Sequence, residues 1–434
     1  MKSGLIEDFL FLGDPNVRIV LPGVLVLCAM AALVGNFTYL RKRSLIGDAI
    51  SHAVLPGICL AYLVNGEKNL FYLLIGALAS GLLSVFLIDF LSKNRFARND
   101  TAIALMLSSF FGLGLVLLTY IQHQGGASQS GLDGFLFGKA ASLSELDVYV
   151  FSISFLVISG IVYLFRRGFG LMSFDEDFAQ SIGFPVRWLR FFLSVLTVWA
   201  VATGIQAVGV VLMAALLIAP SLAARLWSNS LKQMIFISVL VGLLSGYSGS
   251  LISYLKPGMP TGPWVVISAG VFALISLMVA PGKGLLSQWK LRKSNETKML
   301  TENLLKLFYQ ISEKSENQTA VTEDDLLNRR SLNRSDLSRG LKLLIKNNYV
   351  LDIQGAWRLS AEGEIEAKRI VRLHRLWELY LQEYLHLDAD HVHDDAEAME
   401  HVITPDIERQ LEEILGRPER DPHQAIIPRV YDTK

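Results

Sequence analysis

The first two-thirds of this 434-residue sequence is short of charge. Residues 1–290 carry 19 Lys/Arg and 13 Asp/Glu, too few to coat a soluble domain of that length. Cysteine is scarcer still. Cys28 and Cys59 are the only two, which excludes a disulfide framework and a thiolate metal finger. Both sit in apolar stretches and read as small buried residues. The phosphate-cradling loop G-x-x-x-x-G-K-[ST] is absent as well. Gly134-Phe-Leu-Phe-Gly-Lys139 has the wrong spacing and Ala140 follows it, so ATP hydrolysis by that route is not expected and any energy comes from a partner or an ion gradient. No basic segment precedes the first apolar run. Glu7, Asp8 and Asp14 stand before it, so residues 17–40 read as a true span and not as a secretory signal.

What is present is a series of apolar runs. A bilayer core takes about 20 mostly apolar residues per helix. Runs at 17–40, 48–65, 70–91, 101–121, 146–165, 235–255 and 262–280 meet that length. The stretch 190–224 is too long for one crossing and short for two. Basic residues cluster at Arg41–Arg43, Lys93/Arg95/Arg98, Arg166/Arg167 with Arg187 and Arg190, and Arg225/Lys232. Such clusters mark cytoplasmic loops. Both flanks of 190–224 are then inside, so the chain goes out and returns, turning near Thr203–Gly209. The count is about nine crossings, or eight if one segment is re-entrant, with the N-terminus outside and the C-terminus inside. The Gly-rich stretch 125–138 is a candidate to dip into the membrane.

Ionisable residues within apolar spans are informative because they are costly there. Asp48 and His52 lie in Ser44-Leu-Ile-Gly-Asp-Ala-Ile-Ser-His-Ala-Val-Leu-Pro-Gly57. Four residues apart, they share one helical face. A carboxylate with an imidazole is a partial shell for Mn²⁺, Zn²⁺ or Fe²⁺. The alternative on spacing alone is that Asp48 caps or pairs beside Arg41–Arg43 while His52 packs.

Residues 291–434 have a different composition: 21 Lys/Arg, 27 Asp/Glu and six of the eight His. Leu300, Leu304, Leu305, Leu307 and Phe308 form an apolar stripe. Thr322-Glu-Asp-Asp-Leu-Leu and Asn333–Lys346 read as two capped helices, and Tyr349–Leu359 as a hairpin around Gln354-Gly355. That order is a winged helix-turn-helix. Residues 329–346 hold Arg329, Arg330, Arg334, Arg339, Lys342 and Lys346 against one acid, Asp336. A basic recognition helix suits phosphate contact and groove entry, with Ser338 and Arg339 near base edges. A solvated charged face or a protein-docking domain fits the same pattern. Further on, His374 and Glu378 share a face, and Glu397, Glu400 and His401 share another, with His393 nearby. Mixed imidazole and carboxylate donors suit Mn²⁺ or Fe²⁺.

These motifs resemble two known families. Arg43–Gly57, Asn99-Asp-Thr-Ala-Ile103, Val208–Pro220 and Gly258-Met-Pro-Thr-Gly262 look like the manganese/zinc/iron-type permeases of ATP-binding-cassette importers, over about residues 15–283. The resemblance implies that Asp48 and His52 line the metal path as a gate. It also implies that Asp175-Glu-Asp-Phe-Ala-Gln-Ser-Ile-Gly-Phe-Pro-Val-Arg187 is the loop that docks on the ATPase, through Asp175, Ala179 and Gly183. An amphipathic interfacial helix is the alternative for that loop. Implied partners are a second permease subunit (a second copy of this chain, or a paired permease), two ATPase subunits, an extracytoplasmic metal-binding protein and membrane lipid.

Residues 300–430 resemble the iron/manganese-dependent repressors, the diphtheria toxin repressor and manganese transport regulator family. The resemblance implies ancillary metal ligation by His374, Glu378 and His393, and a second, allosteric cluster of Glu397, Glu400 and His401. Glu397 stands where iron-type members carry Cys and manganese-type members carry Glu. The ligands of the family's first helix fall near Asn303 and Lys306, and a lysine there repels a cation. The iron-type family's third domain has no counterpart before Lys434.

The resulting expectation is an all-α membrane bundle over 1–285, a linker at 286–298, a winged helix-turn-helix at 299–363 and a helical metal-binding and dimerisation domain at 364–434. Its function is metal import with a cytoplasmic, metal-responsive tail that contacts DNA through Arg334, Ser338, Arg339 and Lys342. Two alternatives are a tail that inhibits its own transporter without DNA, and a proton-coupled secondary transporter.

Overall fold

The computed structural model describes residues 7–41, 44–93, 96–123, 134–256, 258–314, 320–329, 333–386, 405–416, 418–423 and 425–428. The chain divides into two units, Met1–Ser287 and Gln288–Lys434.

Among the described residues of the first unit, nine helices are long and apolar enough to cross a membrane. They are α1 (Pro15–Leu40), α2 (Ser44–Asn65), α3 (Leu70–Lys93), α4 (Asn99–His123), α5 (Glu145–Leu164), α8 (Val186–Val208), α9 (Val210–Trp227), α10 (Leu231–Leu255) and α11 (Thr261–Val279). Two short helices, α6 (Arg166–Phe174) and α7 (Glu176–Ser181), lie between α5 and α8. Helix starts follow side chains that satisfy orphan N–H groups. The Asp14 carboxylate accepts from Asn16 N at 2.8 Å, with Pro15 at the first helical position. Ser144 and Asp147 cap α5 reciprocally.

The ambiguous stretch 190–224 resolves into α8 and α9, as the charge pattern required. The break falls at Gly209, whose φ of 90° and ψ of 159° suit only glycine. Gly138 also has a positive φ, at 80°. Just after it the Lys139 N–H donates to Gln206 O at 3.0 Å, near the end of α8. Most of the Gly-rich stretch, residues 124–133, lies outside the described residues.

Glycine sets the closest helix approaches. A Cβ on Gly57 would meet the Gly76 carbonyl and, at 2.5 Å, Ser80 Cβ. Ser80 Oγ donates to the Ala53 carbonyl at 2.5 Å. Thus α2 and α3 touch backbone to backbone, the packing that small residues permit in lipid.

The second unit holds α12 (Leu285–Lys314, which starts just before the boundary), α13 (Glu323–Arg329), α14 (Arg334–Lys346), β1 (Val350–Ile353), β2 (Ala356–Leu359), α15 (Ala361–Leu385) and α16 (Pro405–Ile414). The expected linker, 286–298, is helical. It contains no Gly or Pro, so nothing local stops the helix. β1 and β2 pair antiparallel, Val350 opposite Leu359 and Ile353 opposite Ala356. Gln354 and Gly355 join them with φ of 53° and 89°, positive at both positions as a two-residue hairpin loop of this type requires. Leu304, Leu305 and Phe308 of α12 share one core with Leu337, Leu341 and Leu344 of α14.

Candidate functional sites

Asp48 and His52 occupy successive turns of α2. His52 Nε2 stands 3.4 Å from Asp48 Oδ1, with side-chain exposures of 13% and 35%. Phe111 of α4 sits edge-on to the imidazole, ring centroids 4.5 Å apart. His52 Nδ1 is buried and has no hydrogen-bond partner. Such a buried polar atom calls for an explanation. Pro56 has no N–H to offer the His52 carbonyl four residues back, so this turn of helix concentrates oxygen and nitrogen donors. Asp48 and His52 thus meet, as their four-residue spacing predicts, and form one polar patch. Two donors from one chain do not complete a metal shell. Among the described residues no group of three or more His, Cys, Asp or Glu is assembled to hold a metal.

The Asp175–Gly183 segment folds as read. Asp175 caps α7, its Oδ1 accepting from Phe178 N at 2.9 Å. Gly183 closes it at φ 88°. Glu176 is ion-paired with Arg190 of α8. Ala179 is fully buried within its own chain, so its small side chain seats α7 against the bundle. Phe174, Phe178 and Ile182 are the exposed apolar groups instead, each more than half exposed. Their four-residue spacing, which puts large apolar groups on one side of the segment, was the signal in the sequence.

In the tail, α14 presents Arg334, Ser338, Arg339 and Lys342 to solvent while Leu337, Gly340, Leu341 and Leu344 face inward. Arg334 and Arg339 are held loosely, by Glu323 at 3.8 Å and Asp336 at 3.1 Å. Exposed pairs of this kind are weak and give way readily to a phosphate.

His374 and Glu378 of α15 meet at 3.0 Å, Nε2 to Oε1, with side-chain exposures of 5% and 3%. A buried imidazole and carboxylate in one line fit a divalent cation, as two donors of its shell. The other four residues of the expected cluster, His393, Glu397, Glu400 and His401, lie outside the described residues. Asn303 Oδ1 is buried with no hydrogen-bond partner. Lys306 is buried at 4% exposure. A second polar centre escaped the sequence reading. Arg375, 7% exposed, forks onto Glu313 of α12 at 3.1 and 2.8 Å, reaches Asp421 at 3.5 Å and donates to the Ile426 carbonyl.

Comparison with known proteins places these sites in context. Residues 14–280 match the ABC 3 transport family. Residues 360–429 match the iron dependent repressor, metal binding and dimerisation domain. The chain is 39% identical to a manganese transport system membrane protein of Bacillus subtilis over 380 residues, 87% of each chain. It is 41% identical to a zinc transport system membrane protein of Treponema pallidum over 64% of this chain and 94% of that one. Among solved structures, PsaBC from Streptococcus pneumoniae in complex with Fab superposes with a TM-score of 0.58 at 33% identity, covering 65% of this chain and 98% of that chain.

Proposed function

We propose, on the premise that this chain belongs to the ABC 3 transport family, that Asp48 and His52 gate the passage of a divalent transition metal through its membrane unit. The chain is a multi-pass membrane permease with a tail like the metal-dependent repressors. The observation that carries the gate is the Asp48–His52 contact at 3.4 Å, with His52 Nδ1 left over in a span otherwise apolar. Carboxylate and imidazole donors suit Mn²⁺ and Zn²⁺ alike. The manganese relative favours Mn²⁺ as cargo, and the zinc relative makes Zn²⁺ its competitor.

One copy supplies two donors. A second copy about a two-fold axis brings its own Asp48 and His52, and four donors complete a shell without any further residue. Separate ATPase subunits dock on the Phe178–Ile182 surface between Asp175 and Gly183, and an extracytoplasmic binding protein delivers the ion. The test is metal accumulation by cells expressing the whole transporter with Asp48→Ala or His52→Ala. Uptake falls at least tenfold in each; unchanged uptake in both discards the gate. Uptake that persists without the ATPase subunits would instead support a proton-coupled route.

The tail reads cytoplasmic metal through His374 and Glu378 together with His393, Glu397, Glu400 and His401, with Mn²⁺ or Fe²⁺ as the ion and Zn²⁺ as a weaker fit. When bound, the metal would supply positive charge for these carboxylate and imidazole donors to hold. Arg334, Ser338, Arg339 and Lys342 contact DNA. Lys306, a cation beside the expected first-helix ligands, favours a second reading, in which the tail inhibits transport without engaging DNA. Fluorescence anisotropy of labelled duplex DNA with the full-length protein, with and without Mn²⁺, separates the two. No binding under either condition leaves the inhibitory reading.

A further inference from the structure

At the ends of α3 and α8 that carry Lys93 and Arg187 lies a cavity of about 580 Å³, apart from Asp48 and His52. Its wall is apolar, formed by Phe86, Phe90 and Phe191. Its rim carries Lys93, Arg187 and Arg190 against one carboxylate, Asp89. Arg190 is already engaged by Glu176, and Asp89 also has a partner. Lys93 and Arg187 are exposed, and neither is ion-paired among the described residues. The surplus charge is therefore positive and borne by two available side chains.

Three features select the occupant. The cavity opens toward lipid, since Phe86 is 64% exposed and Phe191 is 51% exposed on helices that span the membrane. Trp188, 61% exposed, meets Phe191 of the wall with ring centroids 6.2 Å apart, and indole rings favour the headgroup layer. The cations sit at the cytoplasmic surface, where anionic lipids concentrate and basic pockets between spans hold their headgroups. A soluble anion would match the cations but not the phenylalanine wall. An acyl chain would match the wall but needs a headgroup to meet the cations.

We infer that this cavity binds an anionic phospholipid of the inner leaflet, its phosphate on Lys93 and Arg187 and its acyl chain along Phe86, Phe90 and Phe191. Seated there, the lipid lies next to Arg190, the residue that ties α8 to α7.

The test uses the full-length protein in nanodiscs made with phosphatidylcholine plus a minor share of phosphatidylglycerol, read by native mass spectrometry after release. Wild type retains phosphatidylglycerol over phosphatidylcholine. Loss of both free cations in Lys93→Ala/Arg187→Ala weakens retention by roughly tenfold to thirtyfold, taking the usual contribution of each basic residue near an anionic surface. The conservative pair Lys93→Arg/Arg187→Lys keeps it, and this variant guards against misfolding as the cause. An excess of inorganic phosphate leaves retention unchanged, because the acyl chain contributes. Equal retention of both lipids, no change in the alanine pair, or displacement by phosphate overturns the proposal. So does a disulfide between two copies carrying Phe90→Cys, which would make this face a subunit interface.

Discussion

Gly57→Ala tests the link between helix packing and transport most directly. The added Cβ would lie 2.5 Å from Ser80 Cβ and closer still to the Gly76 carbonyl, whereas ordinary contact begins at 3.4 Å. Relieving the Ser80 clash alone moves α2 from α3 by about 0.9 Å, the difference between those two distances. Backbone is the obstacle at Gly76, so no side-chain rotation absorbs the shift. The movement stretches the Ser80–Ala53 hydrogen bond, now 2.5 Å, one residue beyond His52. Overpacking of this kind costs about 1–3 kcal/mol. The functional loss should be larger, because metal–ligand distances tolerate only ~0.2 Å. Displacements near 1 Å reduce turnover by up to ~100-fold in other sites. Radiolabelled manganese accumulation, normalised to membrane expression, should fall by roughly tenfold or more on that basis. Gly160→Ala is the control, since a Cβ there meets nothing within 4 Å. If Gly57→Ala accumulates metal as fast as Gly160→Ala, the close α2–α3 approach does not hold the gate in place and the reasoning fails.

Three further outcomes follow from the tail. Arg375→Ala leaves Glu313 and Asp421 without their shared cation and should destabilise the tail by roughly 3 kcal/mol; hydrogen exchange of α12 and α15 in the full-length protein reads this, and unchanged protection refutes it. Burial raises the pKa of Glu408 above the ordinary carboxylate value, against the opposing pull of Arg369. Its folded form thus holds the proton more tightly than the unfolded chain, so its contribution to stability is greatest in acid and is lost as pH rises through the folded pKa. Glu408→Gln should flatten that part of the pH–stability curve, and a curve identical to wild type contradicts it. Should the tail bind DNA, Lys342→Ala lowers affinity across sequences and reduces the slope of log K on log salt by about 1, as anisotropy titrations at several salt concentrations would show.

Much of this molecule could be read from local rules. Mean hydropathy located the spans, and the placement of Arg and Lys oriented them and required 190–224 to reverse. The four-residue spacings of Asp48/His52 and His374/Glu378 predicted contacts that the structure contains, because a helix puts such pairs on one face whatever surrounds it. Gln354-Gly355 announced its hairpin because few residues tolerate two positive φ values in succession.

Contacts between segments distant in the chain could not be read this way. Ala179 was expected to face a partner, and its inward turn depends on how α7 settles against α6 and α8. The Phe178 and Ile182 surface became visible only once Ala179 was found buried. Arg375 looked like one more basic residue on an amphipathic helix until Glu313 and Asp421, 62 residues before it and 46 after, closed around it. The cavity between α3 and α8 likewise joins residues about 100 positions apart. Hydropathy, spacing and turn chemistry are properties of neighbours along the chain, so the sequence by itself determined the spans and the paired donors. Burial, ion-pair closure and cavities are properties of neighbours in space, so only the tertiary structure decided which of the available side chains are buried, which stay exposed and which pair with each other.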